Sequence, residues 1–586
     1  MTAFRQPLTI VEIDFPSCAN TYGSAPCTAA LSADNPAKCF NTRATCQAVA
    51  AYAPSATQTL RFAYNVTGIP RGQTIFPALT SVSTRAAEIN ASGIDPRTSA
   101  LGKRARVTVR LQDFTYGDTL TDNYQAQRVS GAAQFSGIGY QPADRGTFFG
   151  KLIARQPYYI GKALRVRKGY VGDAIAAMPA ANYVITEWSG PDANGVVEIT
   201  AADVLALADN AKAVAPAVSN GKLLADIAAG AGTLTLTPTG VGAEYPANGY
   251  VCIGREVLFF TRAGDVLTLV GGQAGTVTAA HKANDAAQLC LVYNQARPSG
   301  VVADLLITYA AVPAAYIDTA AWQAENDRWL ASTKFSTIIT KPTGVASLIG
   351  EIGQHSVMVW WDELAQKIRF RANRPVDVGE TPVELSDAAS FITGTMAIDR
   401  GDDQRITSLI FLHGYLDATG SMTDESNFAR AVVSTVTEDL YGQAQIKTVF
   451  SRWLGQAGDD AAAASIANHL KNRFQATPKL FEAMLDIKDR ASLSLGQVIN
   501  VNTYLLQDQT GQSLPEQMQV TYLEEKDDRL AIKAQTWAFT GRYGVITATA
   551  RPDYAASTAK QRAKGTYIVS AATLKFSDGT GPYIIF

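Results

Sequence analysis

The sequence predicts a multidomain, mainly β protein with α+β parts. Period-two alternation of apolar and polar residues recurs along most of the chain, while helical spacing is confined to a few stretches. The length, 586 residues with 47% hydrophobic, exceeds what one core serves, so several units are expected.

The elements follow in chain order. Residues 1–60 form an N-terminal segment that holds four of the six cysteines. Residues 61–199 read as a β domain. In 104–116, Val107, Val109 and Leu111 share one face and Thr108, Arg110 and Gln112 the other, the pattern of a half-buried strand. Residues 146–171 predict two or three further strands, with Arg165, Arg167 and Lys168 on a solvated strand face rather than on a phosphate. The alanine-rich stretch 200–231 predicts a helix plus linker. Residues 232–293 predict a small inserted β domain, with turns at Pro238-Thr-Gly240, Asn248-Gly249 and Ala263-Gly-Asp265.

Residues 294–385 predict a mixed α/β domain. Val302, Leu305 and Leu306 share a helical face, as do Trp322 and Trp329, and a hairpin is expected near Asp362 to Gln366. Residues 386–550 predict a second β domain carrying a helix at 458–475. There Ile466, Leu470 and Phe474 recur every fourth residue, with Asp459 and Asp460 at its start and Lys471 and Arg473 near its end. Residues 551–586 end in the apolar TYIVSAATLKFSDGTGPYIIF and predict a docking segment, against the chain's own core or a neighbouring subunit. No repeat is evident.

Composition excludes several functions. Lys plus Arg is 51 and Asp plus Glu 52, a formal net charge of -1, which excludes a polycation that holds nucleic acid by phosphate neutralisation. Charged residues are only 18%, so much of the surface is expected to meet other subunits. No 18-residue apolar run predicts a membrane span. The N-terminus lacks a secretory pattern, so synthesis and folding in the cytoplasm are expected. There is no GxSxG, no GxxxxGK[ST] and no HExxH, and the four histidines, His281, His355, His413 and His469, are scattered. No enzyme is predicted. The alternatives are a cell-wall hydrolase, which needs a carboxylate pair or a Cys–His site, and a secreted disulfide-bonded adhesin.

Cys18, Cys27, Cys39 and Cys46 are spaced C-x8-C-x11-C-x6-C in a loop-rich segment. The absence of a CxxC knuckle disfavours zinc. A [4Fe–4S] cluster accepts irregular spacing, and two disulfides would also staple such a loop. Both remain open on the residues alone. Cys252 and Cys290 lie in apolar strands and are expected to be buried thiols.

CANTYGSAPCTAA followed by CFNTRATCQ resembles the N-terminal signature of prophage tail proteins of long-tailed, siphovirus-type bacteriophages. GTFFGKLIARQPYYIGKALRVRKGYVGD is similar to the first β-barrel of baseplate-hub proteins, and SLGQVINVN with MQVTYLEEKDDRLAIKAQTWAFTGRYG to their closing barrel. PAAYIDTAAWQAENDRWL and ITKPTGVASLIGEIGQHSVMVWWDELAQKIRFR resemble the mixed part of hub and tail-tip proteins. The resemblance implies two hub-type barrels, 61–199 and 386–550, in a structural virion protein at the phage tail tip. It implies a homotrimer between the tail-tube or distal tail rings and the receptor-binding tip. Its channel, closed until infection, then passes DNA without specific binding. Related tail-tip proteins carry a four-cysteine [4Fe–4S] site, which favours a cluster on Cys18, Cys27, Cys39 and Cys46, although there the site is C-terminal. The predicted subunit interfaces are both barrels and residues 565–586.

Overall fold

The alternating residues at 104–116 form an inner strand of a seven-stranded sheet. The computed structural model describes residues 6–29, 39–65, 72–95, 99, 101–118, 120–121, 146–363, 365–376, 380–435, 442–455, 459–486, 493–526 and 529–537, and the backbone of 544–546 and 566–568. The chain divides into two compact units. One is drawn from Met1–Ala87, Arg104–Leu207 and Glu363–Gln366; the other comprises the rest.

The first unit holds β1 (Pro7–Ser17), β2 (Ala56–Ala63), β3 (Leu79–Arg85), β4 (Arg106–Gln112), α1 (Phe148–Arg155), β5 (Ala163–Tyr170), β6 (Ala180–Ser189) and β7 (Val196–Ala202). Their order is β2-β1-β5-β6-β7-β4-β3, every neighbour antiparallel. Just before β3, Phe76 N donates to Arg61 O (2.8 Å), while Gln112 N donates to Ala78 O (2.7 Å). One run of chain thus bonds to both ends of the sheet and closes it into a barrel. Val11, Ile13, Phe15, Val107, Val109 and Leu111 point inward, and Phe62, Phe76, Phe148 and Phe149 pack ring to ring beside them.

Three expectations are corrected in this unit. The first strand lies inside the predicted N-terminal segment, so the cysteines occupy the connection between β1 and β2. Residues 148–155 are helical, not extended: Thr147 caps the helix, and Phe148, Phe149 and Leu152 form its buried face. The Phe- and Ile-rich composition disguised that spacing as strand. Arg165 and Arg167 are not on a solvated face. Register sets Glu12 opposite Arg61 on one side and Arg165 on the other, and Glu12 is only 2% exposed. Its carboxylate accepts from Arg61 (2.8 Å), Arg165 (2.8 Å) and Arg167 (2.9 Å), and Asp14 takes a bidentate pair from Arg165 (2.5 and 2.8 Å). Burial pushes the Glu12 carboxyl up, but the three guanidinium bonds outweigh it and hold the group at about 2.

No α-helix forms over 200–231. That stretch holds a 3-10 turn, Val204–Leu207, and strand fragments, because Asn210, Pro216, Asn220 and Gly221 interrupt it. The inserted β domain comprises β8 (Lys222–Leu223), β9 (Thr233–Thr237), β10 (Asn248–Ile253), β11 (Glu256–Ala263), β12 (Val266–Gln273) and β13 (Gln288–Leu289), in the order β13-β10-β11-β12-β9-β8. The mixed part follows: β14 (Leu291–Ala296), α2 (Pro298–Asp304), α3 (Thr319–Trp329), β15 (Phe335–Ile339), α4 (Val345–Gly353), and the hairpin β16 (Val357–Asp362) to β17 (Lys367–Ala372) at the predicted turn.

A second sheet closes the unit: β18 (Val383–Ser386), β19 (Ala397–Arg400), then β20 (Ser408–Tyr415), β21 (Phe428–Thr435), β22 (Ile446–Phe450) and α5 (Asp460–Phe474), then β23 (Lys479–Asp486), β24 (Val498–Asn502), β25 (Glu516–Lys526) and β26 (Arg529–Thr536). Its order is β18-β24-β25-β26-β23-β19; β20 to β22 form a separate small sheet, β21-β20-β22. Helix α5 buries Ile466, Leu470 and Phe474, as their spacing predicts. The segment 88–103, between β3 and β4 in sequence, belongs to this unit: Glu88 bridges both Lys103 and Tyr522, and Ile89 N donates to Thr521 O (2.8 Å). The expected docking segment 551–586 lies outside the described residues, apart from the backbone of 566–568, which pairs in parallel with 544–546.

The two large sheets repeat one plan, although no repeat was evident in the sequence. Omitting β2, the first runs β1-β5-β6-β7-β4-β3 and the second β18-β24-β25-β26-β23-β19, the same order with strands taken in the same chain sequence. Details repeat as well. Gly161 N donates to Ile185 O and Ile185 N to Lys162 O; Gly496 N donates to Val520 O and Val520 N to Gln497 O, all at 2.8 Å. Both glycines are left-handed, with φ of 78° and 79°. The next residue on each strand is a bulged threonine. Thr186 Oγ1 donates to Thr200 O (3.1 Å), and Thr521 Oγ1 to Lys533 O (3.4 Å). The first strand differs: β1 runs antiparallel to β5, β18 parallel to β24.

Candidate functional site

Strand β1 ends at Ser17, and Cys18 N donates at once to Asn41 O (2.8 Å), folding the cysteine segment back on itself. A turn closed by Cys27 N to Ser24 O (2.8 Å) presents Cys27. Asn41 takes a left-handed φ of 60°, which lets its N–H turn back to Cys39 Sγ (3.4 Å) while its amide reaches Cys18 O (3.4 Å). Cys46 caps the 3-10 turn Arg43–Thr45, pinned by the Thr42 and Thr45 hydroxyls (2.9 Å). Residues 30–38, between the second and third cysteines, lie outside the described residues.

All four cysteines line one small cavity, with free space of only about 10 Å³. Cys39 is buried, and the other three are partly exposed. Tyr52 lines the same cavity; burial, then the charges of Cys18 and Cys46, push its hydroxyl up. No disulfide joins the six cysteines. Among the described residues, no three His, Cys, Asp or Glu side chains converge on a position for one metal ion. The spacing in sequence did not show which cysteines meet; the structure brings all four together.

The anchor for this segment escaped sequence reading. Arg155, at the end of α1, lies 3.8 Å from the centre of the Phe40 ring and makes a bidentate pair with Asp118 (2.9 and 2.7 Å). Gln156 donates to Pro16 O (3.2 Å). Helix α1 therefore holds the cysteine loop against the barrel wall. The available signal was the helical spacing of Phe148, Phe149 and Leu152, whose last turn carries Arg155.

All four histidines are buried. His355 Nε2 lies 2.5 Å from Ser451 Oγ, the spacing of a nucleophile and its base, but both residues are 0% exposed. Burial holds His355 at about 4, so it stays neutral and packed. His281 pairs with Glu256 (2.8 Å), which also accepts from Gly272 N and Ala279 N, in the interior of the inserted domain. His413 and His469 are buried. Cys252 and Cys290 pack with Val257, and burial pushes both thiols up, which makes them inert. No helix among the described residues is long and apolar enough to cross a membrane.

No family model matches the chain, and no curated protein matches it. Among solved structures, it is similar to the prophage tail protein gp18 from Listeria monocytogenes EGD-e, at 9% identity and a TM-score of 0.34 over 82% of this chain and 91% of that one. It is also similar to the 43 kDa tail protein of prophage MuSo2 from Shewanella oneidensis, at 9% and 0.33 over 78% and 98%. A tail protein from Neisseria meningitidis MC58 aligns at 9% and 0.35 over 78% and 96%.

Proposed function

We propose that this chain is a structural subunit of a phage tail tip, a hub that joins the tail tube to the receptor-binding tip and encloses the DNA channel. One observation carries the reading. The two segments whose sequences resemble hub barrels, around Gly161 and around Gly496, occupy equivalent strands of two sheets with one strand order. A doubled barrel suits a subunit that offers two similar faces to a ring of higher symmetry. Three copies would present six barrels. The near-neutral charge suits a wall past which DNA slides without being held.

Within that reading, Cys18, Cys27, Cys39 and Cys46 hold a [4Fe–4S] cluster that ties down the β1–β2 connection. The support is the donor set: four thiols line one cavity. A single zinc needs sulfurs at about 2.3 Å from one point. A cluster offers each thiolate its own iron and so accepts a wider ring. The group would supply cross-linking, not catalysis.

Two measurements test this. Imaging of intact particles should find three copies in one ring at the tail tip; a protein absent from the particle overturns the reading. Protein purified without oxygen should be brown, with about four irons per chain. Colourless, iron-free protein whose thiols resist alkylation would replace the cluster with two disulfides.

A further inference from the structure

The repeat leaves one position filled in the second barrel and open in the first. At the bulge of β25, Thr521 O accepts from Ile89 N (2.8 Å), and Glu88 bridges Tyr522. The filling segment, 88–103, is the link between β3 and β4 of the first barrel. One barrel's link therefore covers the bulged edge of the next barrel in the chain.

The equivalent edge of the first barrel is Thr186–Glu187, on β6. Its neighbours match down to the glycine: Gly161 and Lys162 pair with Ile185 as Gly496 and Gln497 pair with Val520. Beyond Ile185 the match stops. Thr186 and Glu187 are exposed, and among the described residues no backbone N–H from outside the sheet's own ladders reaches Thr186 O. β6 still pairs with β7 here, but beyond Ile185 its β5 side is open, and an open strand side is a template for another chain. By the repeat, its occupant is the β19–β23 link, residues 401–478, of which 401–435, 442–455 and 459–478 are described. That link carries its own unpaired edge, β21, at the margin of the small sheet, with Val433 61% exposed.

We propose that the Thr186–Glu187 edge is an interface to a second copy of this chain, whose 401–478 link docks there through the open edge of β21. The inference rests on the assembly reading above, which supplies the second copy. Each copy offers one link and one open edge. The contact is head-to-tail, and such contacts form a ring when the rotation closes.

Two measurements on the full chain test it. Sedimentation velocity gives the associated and single-copy states, and hydrogen exchange is compared between them. Residues 186–189 should exchange about tenfold or more slowly in the associated state, the factor for one backbone hydrogen bond of about 1.4 kcal/mol. A photo-cross-linking residue in place of Glu187, an exposed side chain, should join a second copy within 401–478. If the chain associates but 186–189 stays unprotected, or the cross-link falls elsewhere, the interface is wrong and the assembly reading stands. If the chain stays a single copy both alone and in particles, both fall.

Discussion

In the first large sheet Glu12 on β1 stands opposite Arg165 on β5; at the matching place in the second, Glu384 on β18 stands opposite Asn500 on β24. Glu12 is buried under three guanidiniums, while Glu384 is exposed and accepts one amide bond from Asn500 (2.5 Å). The strand direction also differs, antiparallel in one and parallel in the other. One topology therefore tolerates either a buried charge cluster or a wet polar pair outside its first strand. The inward apolar residues fix the fold, and the outward face is free to diverge.

Removing the two acids separates these cases most widely. Glu12→Gln leaves three half-buried guanidiniums without their shared carboxylate and should cost about 3–5 kcal/mol. Glu384→Gln should fall within about 0.5 kcal/mol of the parent. Hydrogen exchange of β1 and β5 against β18 and β24 reads each sheet separately. Acid sharpens the contrast. Because the folded Glu12 carboxyl lies below its ordinary 4.5, its contribution is complete above that value and is lost as pH falls from 4.5 to about 2. The gap between parent and Glu12→Gln should close over that window. Equal effects of the two substitutions at neutral pH would remove the distinction.

The two left-handed glycines come next. An alanine at Gly161 meets nothing within 4 Å, so Gly161→Ala carries only the strain of φ near 78°, about 1–2 kcal/mol. At Gly496 the added carbon would lie 2.3 Å from the Trp360 ring, whose Nε1 donates to Leu495 O (3.0 Å). Strain and overpacking together should reach about 3 kcal/mol. Chemical denaturation with exchange detection should rank Gly496→Ala clearly below Gly161→Ala. Equal losses would show that Trp360 swings aside freely.

Much of this was legible at short range. The alternation of Val107, Val109 and Leu111 marked a strand, the spacing of Ile466, Leu470 and Phe474 marked α5, and the density of four cysteines marked the candidate site. What escaped depends on pairing across long separations. Glu12 meets Arg165 153 residues away, so Arg165 and Arg167 looked solvated when read on their own strand. The repeat escaped for a related reason. IGKALRVR at 160–167 and LGQVINVN at 495–502 share a glycine and alternating aliphatic residues, too little to stand out in sequence. Links of unequal length, 88–103 and 401–478, destroy any fixed period. Only strand order and the hydrogen bonds at Gly161 and Gly496 make the equivalence visible.

The smallest expected effect bears most closely on what covers each sheet at its bulge. Thr186→Val and Thr521→Val keep the β-branched shape and delete one hydroxyl bond to the facing strand, at 3.1 and 3.4 Å. Each should cost about 1 kcal/mol or less. In the single copy the losses should be unequal. Thr186 is exposed, so water can satisfy Thr200 O, whereas Thr521 is partly buried beside Glu88 and Ile89, and its partner carbonyl is harder to rehydrate. Thr521→Val should therefore be the more damaging, by a few tenths of a kcal/mol in exchange of the adjoining hairpin. Association should erase that inequality, because a second copy over Thr186 would deny its carbonyl neighbour the same water. If the ranking stays unchanged on association, the two bulges are alike in build but not in use.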